Sequence, residues 1–129
     1  MTWRWPDFTP EELRCRGTGE LAMDDEFMDR LQALRETLGF ALPVSSGYRA
    51  PEYNARASGT GLHGPHTTGR AVDIVISGPR VVRLVSVALR LGFTGIGVKQ
   101  SGDHAGRFIH LDDLPVNGAG HPRPRIWSY

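Results

Sequence analysis

Gly64-Pro65-His66-Thr67-Thr68-Gly69-Arg70-Ala71-Val72-Asp73-Ile74-Val75-Ile76 is the stretch on which the fold turns. Its first half, rich in glycine and threonine, closes an ordered loop that begins at Ser58. Its second half, Ala71 to Ile76, is a short run of apolar, mostly β-branched residues and reads as a buried strand. One residue in that strand is out of character. Asp73 stands between Val72 and Ile74, and a carboxylate is costly to bury there unless it is paired or bound to a cation.

Working upstream, Leu42 to Ser46 reads as a second strand feeding a Gly47-Tyr48-Arg49 turn, and Pro51 to Ala57 as a short helix begun by proline. Asp24 to Leu38 is a stronger helix. Phe27, Met28, Leu31, Leu34 and Leu38 fall on one face, and Gly39 stands where a helix-ending glycine belongs. Thr9-Pro10-Glu11-Glu12 carries the capping signals of a short helix. Downstream, Pro79 to Leu91 is a helix with Val81, Leu84, Val85 and Ala88 facing inward and Gly92 ending it. Strands follow near Gly95 to Val98 and Phe108 to Leu111. This order predicts an α+β domain, a small antiparallel sheet flanked by helices, rather than a doubly wound sheet.

A chain of 129 residues fits one domain, spanning 1–129. The net charge of +1 gives no overall pull toward nucleic acid or an acidic membrane. Cys15 is the single cysteine, so no disulfide framework exists, and it reads as a small buried thiol. No run of about 18 apolar residues is present, and Met1 to Pro6 lacks the apolar core of an export signal. The expectation is therefore a monomer made in the cytoplasm, with no nucleic-acid partner and no membrane insertion.

His110 lies between Ile109 and Leu111, in a setting like that of Asp73. His66, separated from Asp73 by six residues, sits in the glycine-containing loop. Two histidines and a carboxylate make a catalytic zinc shell with a fourth position left for water. On spacing alone the alternatives stay open: His110 as a hydrogen-bonded core residue, and Asp73 as the partner of Arg70.

The wider series is more specific. Ser46-Gly47-Tyr48-Arg49, Asn54, the segment from Gly64 to Asp73, and Phe108-Ile109-His110-Leu111-Asp112 occur in that order. The series resembles the zinc D-alanyl-D-alanine carboxypeptidases and L-alanyl-D-glutamate endopeptidases of bacteria and their phages. The resemblance covers about residues 42 to 112, and Arg125-Ile126-Trp127-Ser128-Tyr129 looks like that family's aromatic C-terminus. It implies the α+β fold shared with Hedgehog-type domains and zinc held by His66, Asp73 and His110. It also implies hydrolysis of peptide bonds in peptidoglycan stem peptides. The absence of an export signal then suits a phage or prophage lysis enzyme, released by a separate pore or carried on a virion.

Two departures stand out. Gly64 replaces the serine that leads the family's histidine element. More seriously, Phe108 and Arg107 occupy positions where family members often carry a catalytic Glu, Asp or His. The remaining candidates for a general base are Asp103, His104 and Asp112, with His104 favoured for its chemistry and its flexible loop. Asp112, two residues after His110, faces the same side of a strand. Arg49 is expected to hold a substrate carboxylate or a developing oxyanion, the alternative being a salt bridge that pins the loop. Tyr48 is placed with it as a substrate contact, although Tyr48 and Asn54 alike could equally be turn-stabilising residues. His63 imitates a ligand three residues before His66 and is assigned to substrate or solvent. The rival function is a non-catalytic, zinc-containing cell-wall-binding module that has lost its base.

Overall fold

Capping residues and apolar stripes set the helices. The computed structural model describes residues 2–129. In it α1 (Pro10–Leu13) is capped by Thr9, whose hydroxyl accepts from Glu12 N. Helix α2 (Asp25–Leu38) is capped by Asp24, which accepts from Phe27 N, and stops at Gly39 in the left-handed conformation. Its stripe of Phe27, Met28, Leu31, Leu34 and Leu38 is buried. After β1 (Val44–Ser46) comes α3 (Pro51–Ala57), as expected. The loop beyond it is ordered by two 3₁₀ turns, Gly61–His63 and Pro65–Thr68, and leads into β2 (Ala71–Val75). Helix α4 (Arg80–Arg90) buries Leu84, Val87 and Ala88, with Val81 and Val85 partly covered. Strands β3 (Gly95–Lys99) and β4 (Phe108–Asp112) follow.

The strands form one sheet in the order β1-β2-β4-β3-β5. Strand β5 (Arg125–Ser128) is a departure from expectation, since that segment reads as an aromatic tail rather than a strand. It pairs parallel with β3, so the α+β domain holds a mixed sheet, antiparallel except at this edge. The segment alternates weakly and lies mostly exposed, which leaves little apolar signal to read.

Period-2 alternation assigns the two faces. Val72 and Ile74 of β2, Ile96 of β3, and Ile109 and Leu111 of β4 are fully buried beneath α2 and α4 and form the core. The opposite face carries a row set by pairing register. Ser46, Asp73, His110, Gly97 and Trp127 stand side by side on successive strands. Asp73 and His110 stand side by side on that row. Among the described residues, no helix is long and apolar enough to cross a membrane.

Candidate metal centre

Pairing brings Asp73 and His110 face to face, and the 3₁₀ turn Pro65–Thr68 delivers His66 beside them. That turn ends at Gly69, whose φ of +75° and contact with the Ala22 carbonyl exclude a side chain. Arg70 then ties the loop down, bonding Asp113 through two nitrogens at 2.8 Å and Asp24 at 2.7 Å. Arg70 is thus not the partner of Asp73, and that simpler explanation of the strand aspartate falls away.

One donor atom from each of His66, Asp73 and His110 lies within 4.8 Å of the others, and all three residues are buried. Hydrogen bonds on the far side of each ring fix which nitrogen is free. His66 Nδ1 is 2.7 Å from the carbonyl of Gly47, so it bears the hydrogen, and the Nε2 lone pair points at Asp73 Oδ1, 3.3 Å away. His110 Nε2 is 2.7 Å from Asp112 Oδ2, which leaves its Nδ1 lone pair 3.1 Å from the same Asp73 oxygen. Three electron-rich atoms therefore converge with no hydrogen built in between them. Such a group needs a cation, and two imidazoles with one carboxylate fit zinc.

The electrostatics agree. Burial pulls the His66 imidazole below its ordinary range, more than Asp73 raises it. Burial also acts against a charged His110, but hydrogen bonds to Asp112 and Asp73 outweigh it and raise the group. Burial pushes the Asp73 carboxyl up, yet the two histidines reverse that and hold it far below the carboxylate range.

The expected base candidates are corrected. Asp112 does share a face with His110, but it is fully buried, and Arg123 grips both its oxygens at 2.9 and 2.7 Å. Burial raises its carboxyl, Arg123 and His110 overrule that, and it stands at about 2. It orients His110 and has no lone pair facing the cleft to act as a base. His104 lies on an exposed 3₁₀ turn and borders a separate hollow with Phe40, Pro43 and Arg80. Asp103, beside it, is exposed on the same turn's leading edge.

The substrate contacts divide. Arg49 lines the cleft, with Nε on Ser46 Oγ at 3.1 Å, one terminal nitrogen on Asn54 Oδ1 at 3.2 Å, and the other 3.6 Å from Asp73 Oδ2. Asn54 is wholly buried and also donates to Thr60 Oγ1 and the Gly61 carbonyl, so it holds Arg49 and the loop together. Gly64 packs against that pair so closely that a serine Cβ would collide with Thr60. Tyr48 is a correction: it is buried in a small cluster with Cys15 and Ala50, away from the cleft. His63 is another. Its side chain is exposed and does not line the cleft, while its carbonyl accepts from His121 Nε2 at 2.9 Å.

The C-terminal segment supplies what sequence reasoning missed. The Trp127 ring lies 5.1 Å from the His110 ring, over Gly97, where a Cβ would stand 2.8 Å from the indole and 3.0 Å from His110 Cβ. Gly95 likewise makes room for the Asp112 carboxylate. Arg123 and Arg125 both approach the Trp127 ring, and Tyr129 completes the wall. The Gly95-x-Gly97 pattern within an apolar strand was the available signal for this arrangement. The resulting cleft has a volume of about 340 Å³.

Comparison with known proteins places this geometry. The sequence model of the peptidase M15 family matches residues 6–112, most of the chain. The chain belongs to the peptidase M15 family. The M15 match includes all three converging residues and stops short of the loop carrying His121 and Arg123. Peptidoglycan L,D-endopeptidase MepK of Escherichia coli K12 is 31% identical over 101 residues, covering 74% of this chain and 53% of that protein. The protein of the same name from Shigella flexneri gives the same values. This M15 chain thus spans about half the length of the curated relatives it matches. No solved structure matches it.

Proposed function

We propose that this chain is a zinc-dependent peptidase that hydrolyses peptide bonds in the stem peptides of bacterial peptidoglycan, with His66, Asp73 and His110 holding the metal. The observation that carries the reading is the convergence of three lone pairs whose tautomers are fixed from behind by Gly47 and Asp112. Zinc in that shell supplies Lewis acidity toward a peptide carbonyl and water.

The chain's own residues do the rest. Asp112, held by Arg123, keeps His110 from rotating. Trp127 covers one side of His110 and limits water there. Arg49 presents a cation at the cleft wall, placed by Ser46 and Asn54, to orient a carboxylate or the developing oxyanion. Peptidoglycan stems, with free carboxylates beside D-residues, suit such a wall. Similarity to proteins named L,D-endopeptidases favours a bond between an L- and a D-residue, such as L-Ala-D-Glu, over D-Ala-D-Ala.

The test is mass spectrometry of purified muropeptides after digestion by the zinc-loaded protein. Fragments cut between an L- and a D-residue support the reading, and loss of terminal D-Ala makes it a carboxypeptidase instead. Unchanged muropeptides, with the protein bound to cell-wall sacculi, would make it a binding module. The position of Phe108 and Arg107, where relatives often carry a base, gives that second reading its footing.

A further inference from the structure

Hydrolysis needs a group that takes a proton from water and returns it to the leaving amine, and neither Asp112 nor His104 is placed to do so. The ionisable side chains lining the cleft narrow the choice. Asp73, His66 and His110 face one another. Arg49, Arg123 and Arg125 carry guanidinium groups, which offer N–H donors and no acceptor. Burial raises the Tyr129 phenol, so it can donate at neutral pH but not accept. His121 is what remains.

Resting on the peptidase reading above, we infer that His121 is the general acid–base of this cleft, with Nδ1 as the working atom. The chain segment Gly120-His121-Pro122 forms part of the cleft wall, and the ring is half-buried. The same cleft of about 340 Å³ is lined by His121 and by His66, Asp73 and His110, so a peptide unit bound in it lies among them. The His63 carbonyl has no hydrogen to give, so the 2.9 Å contact requires His121 Nε2 to be the donor. That bond fixes the tautomer and leaves Nδ1 with its lone pair. A base held by a backbone acceptor on its far nitrogen is the arrangement that acid–base histidines use. The His63 backbone, rather than its side chain, is then the functional part of that residue.

The proton balance closes. As the water oxygen bonds to the carbonyl carbon, its proton passes to His121 Nδ1. As the carbon–nitrogen bond breaks, the same proton goes to the amine nitrogen, and one water is consumed per bond cut. The loop lies beyond the segment shared with the family model, which explains how a chain with Phe108 and Arg107 before its last histidine can still cut.

The experiment compares wild type, His121→Gln and His121→Ala on purified muropeptides, with zinc content and melting temperature measured on each preparation. The expected result is zinc and melting temperature unchanged in both variants, turnover lowered about a hundredfold, and the acidic limb of the kcat/KM profile lost. Added imidazole should restore part of the rate to His121→Ala. On the wild type, ¹⁵N NMR should show the Nε2–H tautomer at His121, a readout independent of turnover. Near-normal turnover with an intact acidic limb, loss of zinc in both variants, or an Nδ1–H tautomer would each overturn the inference while leaving the peptidase reading standing. An inactive wild type would sink both.

Discussion

Asp73 and His110 stand directly opposite each other on the antiparallel pair β2–β4, with Asp73 Oδ1 3.1 Å from His110 Nδ1. The pairing register of the sheet sets them face to face. A buried core on the other face, from Val72 to Leu111, holds that register.

Metal binding should therefore follow folding rather than drive it. The purified protein is expected to hold close to one zinc per chain, and His66→Ala or Asp73→Ala should lose most of it. After chelation the wild type should keep its far-ultraviolet circular dichroism and melt at a lower temperature. Stoichiometric zinc in both variants by elemental analysis would refute the ligand set. An unfolded metal-free protein would refute the preformed site.

Asp112 gives a pH prediction for the metal-free protein. Its carboxyl lies at about 2 in the folded chain, below the ordinary value of 3.8. A lowered carboxylate stabilises the fold above the unfolded value and loses that contribution as pH falls through the folded one. The stabilisation, on the order of 2 kcal/mol, should thus be present above about pH 4 and vanish toward pH 2. Arg123→Met should move acid unfolding to higher pH, and Asp112→Asn should weaken zinc binding about 10- to 100-fold. Acid titration by circular dichroism and competition with a zinc chelator read the two effects. An unmoved acid transition in Arg123→Met would show that the Arg123–Asp112 bond contributes nothing.

Gly97 tests the wall that Trp127 builds. Alanine there places a methyl against both the indole and His110, and overpacking of this kind costs about 1–3 kcal/mol. Gly97→Ala should lower the melting temperature and quench or shift Trp127 fluorescence. Gly97→Ala combined with Trp127→Ala should recover stability relative to the sum of the single changes. Strict additivity would mean that the two residues do not meet.

The helices, four of the five strands and the loop to His66 were legible because each carries a local signal. Asp24 and Gly39 bracket α2, and apolar alternation marks β2 and β4. The three converging residues were legible from the misplaced Asp73 and from the family resemblance. What failed was everything set by long-range approach. His104 is near His110 in sequence, but the turn before β4 carries it to another hollow. Tyr48 adjoins Arg49, yet it packs inward against Cys15 and Ala50 while Arg49 lines the cleft. Arg123, Trp127 and His121 reach the cleft only because β5 crosses to pair with β3, and no local periodicity announces a parallel edge strand.

Arg49 separates a substrate contact from a structural one. Its guanidinium is oriented by Ser46 and Asn54 and is 18% exposed, with one nitrogen 3.6 Å from Asp73 Oδ2. A planar, two-pronged cation can grip a carboxylate in a way lysine does not reproduce. Arg49→Lys keeps the charge near Asp73, so the fold and the zinc should survive while muropeptide release falls about a hundredfold. If the only role were to balance Asp73, the lysine would serve nearly as well. Near-normal release by the lysine variant, with melting temperature and zinc unchanged, would remove Arg49 from substrate binding. Arg49→Met supplies the contrast. With no cation beside Asp73 it should lose release to a similar degree and shift zinc affinity as well, whereas Arg49→Lys should leave zinc affinity where it was. Equal zinc affinity in all three proteins would show that the 3.6 Å approach to Asp73 carries no weight, leaving substrate orientation as the residue's whole contribution.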